Sequence, residues 1–126
     1  MCNRVLTYGG MMSIEVPIDE LPDTVATCGW CFVVTSGPSG AHVLSLSPTW
    51  STSGEAMFSV ASKRLSSNIE VSGAATLVFP PFAAGELEGY SLIVDASAST
   101  TESDTGNLRC RPTRAVWHRP PPPAVK

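Results

Sequence analysis

Apolar and polar residues alternate along His42-Val43-Leu44-Ser45-Leu46-Ser47, which puts Leu44, Leu46 and His42 on one face of a strand. The run before it, Trp30-Cys31-Phe32-Val33-Val34-Thr35, is rich in β-formers, and Ser36-Gly37-Pro38-Ser39-Gly40 between them is turn chemistry. Together they predict a hairpin. Upstream, Asp19-Glu20-Leu21-Pro22-Asp23 places acids and a proline in a first helical turn. Leu21, Val25 and Cys28 follow at i, i+4 and i+7 with Gly29 as the closing residue, so a short helix is expected there. Residues 1–15 lack clear periodicity and read as a flexible leader that adds little to the core.

Beyond Pro48-Thr49-Trp50, Ser51-Thr52-Ser53-Gly54 is again a turn, and residues 55–60 predict a third strand. A helix over 63–71 would turn Leu65, Ile69 and Asn68 inward and stop at Ser72-Gly73. Residues 74–79 form an apolar fourth strand halted by Pro80-Pro81, and a loop to Gly89 leads into a fifth strand over 90–99. A polar link, 100–107, precedes a sixth strand over 108–117, and Pro120 to Pro123 is an extended tail. The reading is a mainly β chain of six strands and two short helices in one domain over 16–119, between a leader over 1–15 and a proline-rich end over 120–126. A six-stranded antiparallel barrel is the simplest closure, because it covers the sheet edges.

One junction conflicts with its own local physics. The run Phe58-Ser59-Val60-Ala61-Ser62-Lys63-Arg64-Leu65 ends a strand and starts a helix, yet its first turn carries two cations. A helix N-terminus has partial positive charge and unpaired N–H groups, so acids belong there. A bound anion resolves the conflict: Ser62 caps the helix while Lys63, Arg64 and free N–H groups converge on one point, as in phosphate sites. The competing reading is a solvated basic pair in a loop.

The 126 residues are 43% hydrophobic and only 15% charged, with a net charge of −3. That composition suits one domain with a real core and lacks the basic stripe of a general nucleic-acid or anionic-membrane binder. No apolar run approaches the ~20 residues of a membrane span, and four irregularly spaced cysteines do not form a secreted disulfide framework. The expectation is a cytoplasmic protein whose partners are a small-molecule substrate and a second copy of itself, with no nucleic acid and no membrane.

Five phrases in order resemble the flavin-binding split-barrel family that includes pyridoxamine 5′-phosphate oxidase, in its short actinobacterial-type form. They are His42-Val43-Leu44-Ser45-Leu46-Ser47-Pro48-Thr49-Trp50, the stretch 58–68, Thr76-Leu77-Val78-Phe79-Pro80-Pro81, Tyr90-Ser91-Leu92-Ile93-Val94-Asp95, and the stretch 108–116. The resemblance implies a homodimeric split barrel that holds FMN, or in some branches a deazaflavin coenzyme, at the subunit interface. Its phosphate corner falls on Ser62, Lys63 and Arg64. The segment lining the flavin ring and ribityl chain falls on Leu44, Ser45, Leu46, Ser47, Pro48 and Thr49. The strand end near the phosphate falls on Ser59 and Val60, and a polar group near the ring falls on Ser91. The basic residues that the oxidase carries on its second strand appear here as Leu44 and Thr49. Its C-terminal substrate-holding segment is replaced by the proline tail, so pyridoxamine phosphate oxidation itself is not expected. What the resemblance implies is a flavin-dependent oxidoreductase acting on a small molecule. The alternatives are a deazaflavin-dependent reductase, a non-catalytic flavin or haem carrier, and a cofactor-free dimeric interaction protein. Redox chemistry of this kind belongs to the cofactor, and no catalytic side chain stands out.

Other constellations point elsewhere less well. Cys28-Gly29-Trp30-Cys31 is a CxxC, but Cys28 closes a helix instead of opening one, where the dipole favours the thiol over the thiolate. Packed cysteines are the expectation. One close cysteine pair and two histidines do not supply a structural zinc site, and neither a G-x-S-x-G elbow nor a glycine-rich phosphate loop is present.

Overall fold

The structure, a computed structural model, describes residues 5–8, 11–26, 28–82, 88–101 and 107–120. Its spine is the pairing of the two longest strands, β8 (Ser91–Thr101) and β9 (Asn107–Arg119), which run antiparallel from Ser91↔His118 to Thr101↔Asn107. Burial alternates along both: Leu92, Val94 and Ala96 face in opposite Trp117, Ala115 and Pro112, while Asp95, Ser97 and Ser99 are exposed. Pro112 cannot donate to a ladder, and the register shifts beside it, between Asp95 and Ala96. The Thr113 hydroxyl donates to Asp95 O at 3.1 Å across the irregularity. A bulge is where a strand tolerates such a residue.

Around this spine, the remaining strands are β1 (Val5–Tyr8), β2 (Met11–Glu15), β3 (Cys31–Gly37), β4 (Gly40–Leu46), β5 (Thr49–Trp50), β6 (Ala56–Ser59) and β7 (Ala74–Phe79). The sheet order is β1-β2-β9-β8-β7-β3-β4, with β6 joined to both β9 and β5, and every ladder is antiparallel. The sheet curls on itself as a half-barrel: Trp50 of β5 stacks on Phe79 of β7, with ring centroids 6.5 Å apart at 22°. Nine strands are described where six were expected. The extra ones are the two-residue β5 and a hairpin, β1–β2, inside the stretch expected as a leader. That hairpin docks through Ile14↔Trp117 and Glu15↔Val116, and Ile14 packs on the core.

Two helical segments close the inner face. The first is a 3₁₀ turn, Ile18–Glu20, running into the single turn α1 (Leu21–Thr24). It is shorter than the stretch to Cys28 that the apolar spacing predicts, although Leu21 and Val25 are buried as expected. The second is α2 (Lys63–Ser72), whose buried stripe is Leu65, Asn68 and Ile69. Gly73 ends it in the left-handed region at φ 63°, the closing conformation glycine permits at no steric cost. Its C-terminal end is tied to the spine where Ala98 N–H donates to Gly73 O at 2.9 Å. The 83–87 part of the loop to Gly89, the link 102–106 and the tail beyond Pro120 lie outside the described residues.

Candidate functional site

The conflict at the start of α2 persists in three dimensions. Ser62 is extended (φ −141°, ψ 114°) and its hydroxyl accepts from Leu65 N–H at 3.2 Å, while its carbonyl accepts from Ser66 N–H at 3.0 Å. The first turn holds no acid. Lys63 and Arg64 are exposed, and their backbone N–H groups have no protein acceptor among the described residues. The expected cap is therefore in place, and two cations and two open donors stand at the positive end of a ten-residue helix.

The helix start is fixed against the β3–β4 hairpin. Arg64 Nη2 donates to Ala41 O at 3.4 Å, and one turn later Asn68 Nδ2 donates to Thr35 Oγ1 at 3.1 Å. Asn68 and Thr35 are 4% and 2% exposed, so this pair is a buried polar contact satisfied internally. It also explains Gly37, where any side chain would collide with the Asn68 amide.

Between those two contacts lies His42, paired across the strands with Thr35 and so on the face that α2 covers. Its Nδ1 is buried and has no hydrogen-bond partner among the described residues. The two exposed cations and the open N–H groups of the helix start are a donor set suited to an anionic ligand. Sequence reasoning placed His42 on this face but read it as an ordinary strand residue; alternation with Leu44 and Leu46 was the available signal.

The other expected site residues divide by face. Leu44 and Leu46 are half-buried against the core, whereas Ser45, Ser47 and Thr49 are exposed and Pro48 is intermediate. Val60 packs on the core, and the Ser59 hydroxyl reaches Asn107 Oδ1 at 3.5 Å. Ser91 begins β8 opposite His118. Strands β7 and β3 separate β8 from β4, so Ser91 stands three strand spacings, about 14 Å, from the β4 segment within one chain. The structure thus gathers Ser62, Lys63, Arg64 and the start of β4, and leaves Ser91 outside that corner.

The CxxC thiols are placed as packed residues. Cys31 and Cys110 are fully buried, and burial pushes each thiol up to about 12; at Cys31 the neighbouring Cys110 and Cys28 add to the effect. Such thiols are protonated and poor nucleophiles at neutral pH. Among the described residues, no three His, Cys, Asp or Glu side chains group as a metal site, and no helix is long and apolar enough to cross a membrane.

No family model and no curated protein matches this sequence. Solved structures do match the architecture. An FAD-binding protein from Mycobacterium smegmatis has a TM-score of 0.62 at 17% identity, covering 86% of this chain and 99% of its own. The fold is the split barrel of the pyridoxamine 5′-phosphate oxidase-like proteins. An FAD-binding protein from Mesorhizobium loti has a TM-score of 0.63 at 11% identity, covering 86% of this chain and 98% of its own. A pyridoxamine 5′-phosphate oxidase-type protein from Corynebacterium glutamicum has 0.61 at 12%, covering 84% and 97%. At these identities the split-barrel likeness speaks for the fold.

Proposed function

We propose that this split barrel binds a flavin through the start of α2 and is a flavin-dependent oxidoreductase acting on a small molecule. The observation that carries the reading is the first turn of α2: two cations, two unclaimed N–H groups, a serine cap and no acid. A flavin phosphate supplies the missing negative charge there, held by Ser62, Lys63 and Arg64 with Ser59 and Val60 at the approaching strand end. The segment Leu44 to Thr49 lines the ring and ribityl chain. When bound, the flavin supplies the electron transfer, and the protein contributes position and charge.

FMN is the expected form. FAD offers the same corner a phosphate, and two of the structures similar to this chain are of FAD-binding proteins. A deazaflavin coenzyme has an anionic tail for the same corner. Titration of purified protein with each of the three, followed by fluorescence quenching, tests the proposal. Arg64→Ala is expected to weaken the bound one by about 1 to 3 kcal/mol, as for one charge-assisted hydrogen bond. Unchanged affinity in that variant refutes the phosphate assignment, and binding of none of the three moves the reading to a cofactor-free interaction protein.

The homodimer belongs to the same proposal. On the outer face of the sheet, Phe32, Val78, Ile93 and Val116 lie in one cross-strand row over β3, β7, β8 and β9. Val43 beside Val34 is 51% exposed and Trp30 is 41% exposed. An apolar face of this extent is suited to a second copy of the chain, and with it Ser91, which shares that face, approaches a flavin held by the partner.

A further inference from the structure

The outer face of the β6–β9–β8 ladder carries a charge cluster that the flavin reading does not use. Arg109 and Arg111 stand two residues apart on β9 and so project from the same face. Across the β8 ladder they pair with Ser99 and Ser97, and across the β6 ladder Arg109 pairs with Met57. All four polar side chains are exposed, and with Glu55 and Ala98 they line a concavity of about 340 Å³.

Glu55 organises the pair. Its backbone is held in the tight turn before β6: its N–H donates to Ser51 Oγ at 3.0 Å, and its carbonyl accepts from Ser51 N–H at 2.8 Å. From that fixed position Oε1 lies 3.7 Å from Arg109 Nε and Oε2 lies 3.5 Å from Arg111 Nε. Both contacts are ion pairs longer than a hydrogen bond, and both use the Nε side. Among the described residues no acceptor meets the Nη groups of the two guanidiniums, and the three groups together keep a charge of +1. Only 16% of the Glu55 side chain is exposed, against 47% and 74% for Arg109 and Arg111, so the carboxylate sits beneath and the cations face solvent.

We propose that Arg109, Arg111, Ser97 and Ser99 form a second anion-binding site, which takes the phosphate or carboxylate group of a small molecule. Two forked donors spaced by one strand repeat, each opposite a hydroxyl, match an oxyanion with several acceptor oxygens. The remainder of the ligand lies in an adjoining groove of about 650 Å³, which shares Glu55 and Arg111 with this site. Asp19 lines that groove and repels a further negative charge, which selects a ligand with one acidic group over a polyanion such as a nucleic acid. Glu55 is a positioning residue: it aligns the two guanidiniums and weakens the anion's hold by its own charge.

The test is an NMR titration of the arginine Nε–H resonances with inorganic phosphate and, in parallel, acetate. Arg109→Ala and Arg111→Ala are each expected to lower the affinity of the preferred anion about 10- to 100-fold. Glu55→Gln, which removes the competing charge, is expected to tighten binding several-fold, an outcome that a purely structural ion pair does not produce. Flavin affinity is expected to be unchanged in Arg111→Ala, so failure here and failure of the flavin reading are separable. Anion binding that is equal in wild type and both arginine variants, weaker binding in Glu55→Gln, or no response of either resonance to millimolar phosphate or acetate overturns the proposal.

Discussion

Gly37→Ala isolates the contact that locks α2 onto the hairpin beneath it. The backbone at Gly37 is not in the left-handed region, so the cost of a methyl group there is steric alone. The added Cβ meets the Asn68 amide, and relief requires that amide to withdraw from Thr35 Oγ1, its 3.1 Å partner. Both groups are almost fully buried, so water does not replace the lost bond, and a stranded buried polar group costs about 1–3 kcal/mol. Replacing glycine stiffens the unfolded chain and returns about 0.4–1 kcal/mol. The net expectation is a loss of about 1–2 kcal/mol, a drop of about 1 M in the urea midpoint for a domain of this size. The decisive assay is a double-mutant cycle in urea. With Asn68→Ala the obstructing amide is gone, so Gly37→Ala on that background is expected to cost less than about 0.5 kcal/mol. Equal costs in both backgrounds would refute the steric argument.

Three further outcomes follow from the same geometry. Ser62→Ala removes the cap on Leu65 N–H and is expected to cost about 1 kcal/mol in urea denaturation, with Ser62→Gly costing less. The thiols of Cys31 and Cys110 titrate near 12 when folded and near 9 when free, so between those values the unfolded chain has lost protons that the folded chain keeps. Stability contributed by this pair is therefore complete below pH 9 and falls as pH rises toward 12, by about 1.4 kcal/mol per pH unit per thiol; Cys110→Ala is expected to halve that slope in denaturation series at alkaline pH. If the proposed homodimer forms through the outer face, Val43→Asp puts a charge at an exposed apolar position of β4 and is expected to give a monomer in sedimentation velocity, with unchanged circular dichroism.

The core pattern of the chain was legible residue by residue. Strand β7 falls where its apolar run lies, α2 ends one residue later than its periodicity predicts, and Leu65, Asn68 and Ile69 face inward as their spacing requires. The serine cap was readable because capping depends only on neighbours three residues away. Where the signal was weak, tertiary context decided. Residues 5–8 and 11–15 have no periodicity of their own, yet the free side of β9 gives them a template, and backbone pairing asks nothing of side-chain pattern. The first helix is a single turn after a 3₁₀ turn, and Ile18 and Cys28 still pack against the core beside the buried Leu21 and Val25.

Local chemistry by itself determined that a helix begins at Lys63 with the wrong charges for its dipole, since that conflict arises among adjacent residues. Only the tertiary structure decided what stands around it. The Asn68–Thr35 lock and the meeting of Glu55 with Arg109 and Arg111 join residues 33 to 56 positions apart. Such contacts depend on strand order and register, and no sequence window contains the pairing that creates them.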